Sequence, residues 1–181
     1  MTEDRKLPQL VMRRPALSDL PEVVLPENLQ LRHFKPGDED QWESIVDQAF
    51  GWQRNFQQHM SSHPYFKPER VWFVCDGETP IATAGAWYKP EWGEACGYLH
   101  MVGAYSWYAG QGLGYAVSLA AMLQMREDGR QEVVLETDDF RIPAIKTYLK
   151  LGFHPEAGTA ELQERWRHVY RSLRLTFGEG S

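Results

Sequence analysis

Three alternating glycines stand between a short apolar segment and a longer segment with helical periodicity. They are Gly110, Gly112 and Gly114, with the apolar stretch 98–104 before them and a helical pattern that starts at Leu113 after them. A glycine loop that leads directly into a helix presents unpaired backbone N–H groups and the positive end of the helix dipole to one place. That arrangement suits an anion, and phosphate is the usual one. The simpler alternative is a tight strand-to-helix turn, although a turn needs fewer glycines.

Two common phosphate-binding patterns do not match this loop. A Walker loop requires Gly-Lys-Ser/Thr, which the chain lacks here. A dinucleotide loop requires a small residue where Tyr115 or Val117 stands, depending on which pair of glycines is aligned. Glu136, at the end of the next predicted strand, occupies the place of a ribose-binding acid. A nucleotide-dependent oxidoreductase therefore stays a distant alternative.

Two segments resemble the GNAT superfamily of acetyl-CoA-dependent N-acetyltransferases. VGAYSWYAGQGLGYAV is similar to the family's pyrophosphate loop, Arg/Gln-x-x-Gly-x-Gly/Ala, with Ala109 at the Arg/Gln position. DDFRIPAIKTYLKLGF resembles the later helix, Asn-x-x-Ala-x-x-x-Tyr-x-x-x-Gly-Phe, in which Tyr148 matches and Arg141 replaces Asn. A single predicted strand separates the two segments, as in the family.

The resemblance implies an α/β fold of the GNAT type, in which helices flank a mixed central sheet with splayed strands. The hydrophobic pattern predicts three antiparallel strands before the glycine loop and alternating helix and strand after it. Residues 9–14 are expected to add an edge strand and residues 161–173 a helix. We expect an extended arm over 1–28 and a single domain over 29–181. Gly97 and Gly103 are expected to let the central strand bend or bulge.

The resemblance also implies acetyl-CoA as the cofactor. Its pantetheine arm is expected to contact the end of the central strand, and its pyrophosphate the glycine loop. The expected contacts are Val102, Gly103 and Ala104 on the strand, and Gly110, Gln111, Gly112, Leu113, Gly114 and Tyr115 in the loop. Arg141 either reaches a phosphate in compensation for Ala109 or is a surface charge.

Acyl transfer to an amine requires a base for the amine proton and benefits from an acid for the departing thiolate. His100, on the central strand, is the leading base because histidine titrates near neutral pH. The strand around it also resembles arylalkylamine-acetylating members of the family, which carry a functional histidine there. A structural histidine, a water, or Glu94 as a strand-borne base are the alternatives. Tyr148 matches the family's tyrosine near the cofactor sulfur and is the expected acid, with a packed core tyrosine as the alternative.

Composition limits the partners. The 181 residues carry a net charge of −6, which argues against a nucleic-acid surface or an anionic membrane. Two cysteines are too few for a disulfide framework, and His59 and His63, one helical turn apart, have no ligand in register, so no metal is expected. We expect a small-molecule amine as the acceptor, a cytoplasmic location and possible homodimerisation. The alternative function is a non-catalytic acyl-CoA-binding domain, which Ala109 favours.

Overall fold

The computed structural model describes residues 7–178, which form two compact units. One unit is Pro15–Val134, and the other combines residues 7–14 with residues 135–178. The division at residue 28 that the sequence suggests is a different one and stays a prediction. Strand β6 (Glu132–Thr137) crosses the boundary between the units, which lies between Val134 and Leu135.

The unit Pro15–Val134 holds an antiparallel meander that ends in a parallel strand. Its strand order is β2-β3-β4-β5-β6, with antiparallel pairing up to β5 and parallel pairing between β5 and β6. The sheet is therefore mixed, as the α/β prediction requires. The strands are β2 (Leu29–His33), β3 (Val71–Asp76), β4 (Thr79–Trp87), β5 (Cys96–Ala104) and β6 (Glu132–Thr137), and the helices are α1 (Glu39–Phe50) and α2 (Leu113–Glu127).

Both helices of this unit follow their sequence signals. Helix α1 begins after the Pro36-Gly37-Asp38 turn and buries Trp42, Ile45 and Val46, which share one helical face. Helix α2 is buried along most of its length and is followed by Gly129, whose φ of 83° is the left-handed conformation that glycine adopts easily. The segment between the two helices contains a single π-helical turn, Gln57–Ser61.

The central strand β5 is irregular where the chain approaches the glycine loop. Its pairing with β4 shifts register between Thr83 and Gly85, and Met101 has a φ of 49°. Among residues 7–178, β5 pairs with β6 at only three positions, Cys96 to Tyr98, and continues to Ala104. The later part of β5 thus carries backbone groups that this parallel ladder does not use.

Gly103 borders the expected bulge, because it pairs with Thr83 next to the register shift, whereas that shift does not involve Gly97. Neither has a positive φ. A Cβ on Gly97 would lie 2.6 Å from the sulfur of Met125, and one on Gly103 would lie 3.0 Å from the Cβ of Ala49. These glycines therefore let α2 and α1 pack closely against the strand.

The second unit contains the other half of β6, two further strands and two helices. Strand β1 (Leu10–Arg14) lies between β6 and β7 (His154–Pro155), so it is not the edge strand that was expected. Helix α3 (Ile142–Lys150) follows β6, and α4 (Ala160–Ser172) ends the described fold. The predicted C-terminal helix is confirmed, and Trp166 is its buried anchor, with Nε1 donating to the Glu156 carbonyl over 3.1 Å.

No helix within residues 7–178 has the length and apolar character needed to span a bilayer.

Candidate active site

The glycine loop has the backbone conformation of an anion cradle. Gly110 and Gly112 have φ values of 83° and 73°, which only glycine adopts without strain. Gly112 caps α2, and the first helical hydrogen bond that enters the helix runs from the Ala116 amide to the Gly112 carbonyl over 3.0 Å. The amides of Leu113, Gly114 and Tyr115 therefore precede the i−4 bonding pattern of the helix and point out of its N-terminus.

The approach to this cradle is open. A Cβ placed on Gly110, Gly112 or Gly114 would have no other atom within 4 Å. Gln111 is exposed and Tyr115 is half-buried, whereas the Leu113 side chain is buried and offers only its amide to a ligand. The loop therefore fits a bulky phosphate group, which its backbone N–H groups would bind.

The strand that leads to the cradle contains a residue that sequence reasoning missed. Met101 adopts the left-handed conformation at the bulge between His100 and the paired Gly103. That conformation costs a non-glycine residue about 1–2 kcal/mol. No sequence signal marks it, because the strain results from the register shift against β4. Val102 and Ala104 are half-buried and Gly103 is buried, so this part of β5 borders the solvent where a ligand could reach it.

His100 lies in a group of aromatic rings. Its ring stacks on Trp87 with centroids 5.3 Å apart and lies 5.7 Å from Tyr98. Trp87 in turn contacts His63 edge-on at 5.6 Å, and Tyr65 follows at 6.0 Å from His63. His100 itself is partly exposed, and so is Tyr65. Within the described residues, no cluster of three or more His, Cys, Asp or Glu side chains has a metal-binding arrangement.

The surroundings of His100 keep its imidazole neutral. Removal from water lowers the pKa of His100 to about 3, and the charge of Lys89 adds to the effect. A hydrogen bond to the His59 backbone acts in the opposite direction. Since the neutral ring has a free electron pair at every physiological pH, His100 can accept a hydrogen bond, but it holds a full proton poorly.

Glu94 is not on a strand. It precedes β5 by two residues in an exposed loop, where its carbonyl accepts a hydrogen bond from Arg130.

Tyr148 and Arg141 lie in the second unit, on and next to α3. The Tyr148 ring is buried and packs against Phe153 with centroids 6.0 Å apart. Burial raises the pKa of Tyr148, and the positive charge of Arg141 opposes the shift. The phenol is therefore protonated at neutral pH. Arg141 is the N-cap residue of α3. The catalytic role of Tyr148 and the phosphate contact of Arg141 remain predictions.

A comparison with protein-family models matches residues 35–153 to the acetyltransferase (GNAT) family. The matched range includes strands β3 to β6, the glycine loop and α3. The chain belongs to the GNAT acetyltransferase family. This membership agrees with the resemblance seen in the two sequence segments, and members of the family use acetyl-CoA as their co-substrate.

Several curated relatives carry one name. A mycothiol acetyltransferase from Actinosynnema mirum is 33% identical over 158 residues, covering 82% of this chain and 52% of that protein. Another from Pseudarthrobacter chlorophenolicus is 34% identical over 149 residues, covering 76% and 46%. The chain thus spans about half the length of these curated relatives.

Solved structures share the GNAT fold. A GCN5-related N-acetyltransferase from Sphaerobacter thermophilus aligns with a TM-score of 0.63 at 22% identity, covering 83% of this chain and 50% of that one. The ribosomal-protein-S18-alanine N-acetyltransferase from Escherichia coli aligns with a TM-score of 0.57 at 19% identity, covering 70% and 77%. At these identities the likeness is one of fold alone, and it confirms the predicted fold class.

Proposed function

We propose that this protein transfers an acetyl group from acetyl-CoA to a primary amine of a small molecule, in a complex that holds both substrates together. The observation that carries the proposal is the open glycine cradle at the N-terminus of α2 in a chain of the GNAT family. Backbone amides and the helix dipole at that place favour the pyrophosphate of a coenzyme A ester. Acetyl-CoA supplies the acetyl group as an activated thioester.

The chain provides groups for each requirement of the transfer. The amine nitrogen forms a bond to the thioester carbonyl carbon, the carbon–sulfur bond breaks, and the amine loses a proton. In this proposal His100 accepts a hydrogen bond from the amine and directs its lone pair, and the proton passes to water, because His100 holds a full proton poorly. Backbone N–H groups near the bulge of β5 stabilise the oxyanion, and Tyr148 donates its proton to the departing thiolate. The tyrosinate then regains a proton from the water that has taken the proton of the amine. The raised pKa of Tyr148 keeps the phenol protonated at neutral pH and favours the return of a proton to the tyrosinate after the transfer.

The pyrophosphate loop lacks the side-chain contact that an arginine or glutamine would give at position 109. Backbone amides of residues 110–115 are proposed to carry the binding, with Arg141 as the candidate for an added phosphate contact. The acceptor is proposed from the names of the relatives: an amine related to mycothiol biosynthesis is the first candidate to test.

The first experiment is a calorimetric titration of the protein with acetyl-CoA, with NAD and ATP as controls. We expect binding of acetyl-CoA alone. An absence of acetyl-CoA binding would overturn the proposal, and selective binding of NAD would favour the oxidoreductase alternative. An amine screen for acetyl transfer then separates an enzyme from a non-catalytic acyl-CoA-binding domain, which Ala109 keeps as the second candidate.

Tyr148→Phe tests the proposed acid. We expect turnover to fall by about 10²–10⁴-fold, in the range of lost general-acid catalysis, while the dissociation constant for acetyl-CoA changes little. Steady-state kinetics and calorimetry on the same preparation provide both values. Equal turnover of the two proteins would show that Tyr148 only packs in the core.

A further inference from the structure

The segment 105–109 connects β5 to the glycine loop, and side chains from two other elements hold it. We call this segment the bridge. The Tyr105 hydroxyl donates to Ser44 Oγ over 2.8 Å, and the Tyr108 hydroxyl donates to Asp76 over 2.9 Å. The bridge also contains a 3-10 turn, Ser106–Tyr108, in which the Ala109 amide donates to the Ser106 carbonyl over 3.0 Å.

Gln48 of α1 makes a two-way contact with the bridge. Its Nε2 donates to Ser106 Oγ over 3.0 Å, and its Oε1 accepts from the Ser106 amide over 3.1 Å. The second bond satisfies a backbone donor in the turn that sets the direction of the chain into Gly110. A side-chain amide that bonds both a backbone N–H and the hydroxyl of the same residue fixes position as well as distance.

Helix α1 uses a neighbouring row of side chains for a different segment. Glu43 accepts from the Phe56 amide over 2.7 Å, and Asp47 accepts from the Arg54 amide over 2.7 Å. Segment 54–56 precedes the π-helical turn, whose His59 backbone is hydrogen-bonded to His100. Ser44 and Gln48 therefore form hydrogen bonds to the bridge before the glycine loop. Glu43 and Asp47 form hydrogen bonds to the segment that precedes His59.

We propose that Gln48 is a positioning residue for the pyrophosphate of acetyl-CoA: through Ser106 it holds the bridge so that the amides of the glycine loop converge before the ligand arrives. This inference rests on the proposed function. Gln48 is exposed on α1 and has no role in the core. Removal of the Gln48 amide therefore leaves the bridge less restrained without opening a cavity in the core. The loop must then become ordered when acetyl-CoA binds, and this loss of entropy weakens the binding.

The test compares Gln48→Met, which keeps the length of the side chain and removes both hydrogen bonds, with Gln53→Met as the matched control. Gln53 is also exposed, and within residues 7–178 its side chain makes no hydrogen bond. We expect Gln48→Met to weaken acetyl-CoA binding by about 3–10-fold, the equivalent of one to two exposed hydrogen bonds, with Gln53→Met unchanged. Tyr105→Phe, which removes the bond to Ser44, is expected to act in the same direction.

A second thioester separates positioning from a general structural effect. S-acetylpantetheine lacks the pyrophosphate, so kcat/KM measured with it should be equal in Gln48→Met and the parent protein, whereas kcat/KM with acetyl-CoA should fall. A fall with both thioesters, or equal binding of acetyl-CoA by both proteins, would overturn the inference. If the parent protein itself fails to bind acetyl-CoA, the proposed function fails instead, so the two failures are distinguishable.

Discussion

His100 is a titratable group that the fold keeps uncharged. The pKa of His100 is lowered to about 3 in the folded protein and is about 6.5 in an unfolded chain. Between these pH values the unfolded state binds the additional proton, so the free energy of unfolding falls as the pH falls. The contribution is complete above pH 6.5 and is lost progressively toward pH 3. We expect His100→Gln to flatten this part of the stability curve, measured by urea unfolding from pH 7 to pH 4.

The matched control is His168→Gln, because that histidine is exposed on α4. The control should keep the acid dependence of the parent protein. If His100→Gln also kept it, the imidazole would be protonated readily in the fold, and a role as a conventional base near neutral pH would become the better interpretation.

The left-handed backbone conformation of Met101 could not be predicted from the pattern of residue types. The segment around it is predicted as a strand because apolar residues occupy it, and that prediction is confirmed. Its left-handed φ depends on how β5 pairs with β4 across the shift between Thr83 and Gly85. Pairing between strands is a non-local property, so the bulge could not be predicted from a methionine in an apolar run. Gly103 borders the bulge, but the left-handed φ lies at Met101, and Gly103 itself lies close to Ala49 of α1.

At the scale of elements, a glycine of the central strand lies in a tightly packed place, whereas one in the glycine loop lies in open space. Gly103 lies where α1 packs against β5, and a Cβ there would meet Ala49 at 3.0 Å and the Ile45 carbonyl at 3.5 Å. Gly114 lies in the first turn of α2 with open space around it. We expect Gly103→Ala to lower the free energy of unfolding by about 1–3 kcal/mol and Gly114→Ala to raise it by about 0.5–1 kcal/mol. Urea unfolding of both variants measures the difference.

The two substitutions control each other because they make the same chemical change. A loss of stability in Gly114→Ala would mean that the loop needs a conformation that alanine does not adopt. A neutral Gly103→Ala would mean that α1 moves away from β5 at little cost, and the close packing would then have no energetic importance.

The elements themselves were largely predictable from local signals. The Pro36-Gly37-Asp38 turn marks the beginning of α1, and the glycine loop marks the beginning of α2. The turn at residues 77–78 lies between β3 and β4 and indicates their hairpin. Each signal lies within a few residues of the feature that it predicts. The site was less predictable, because the His100 ring contacts Trp87 and Tyr98, Trp87 in turn contacts His63, and only the fold brings these residues together.

At the scale of the whole molecule, the order of the chain differs from the order of the sheet. Strand β1 precedes the first unit in sequence and pairs with β7 in the second, with Met12 opposite Pro155 and Arg13 opposite His154. Strand β1 occupies Leu10–Arg14, and a strand over residues 9–14 was expected from the sequence. Its partners were not, because nothing in residues 10–14 indicates a strand more than 130 residues away.

This placement predicts that residues 135–178 depend on strand β1 for their stability. Met12 is fully buried on β1, whereas its neighbour Val11 is half-buried on the other face. Met12→Asp places a carboxylate without a partner in the core, and we expect the free energy of unfolding to fall by at least about 3 kcal/mol. Val11→Asp, with the same charge one residue away, should cost clearly less. Hydrogen exchange at the Glu156 amide, which donates to the Val11 carbonyl over 2.9 Å, reports the pairing directly. Faster exchange there in Met12→Asp than in Val11→Asp would support the dependence. Equal protection in both variants would show that the residues around β7 hold their structure without β1.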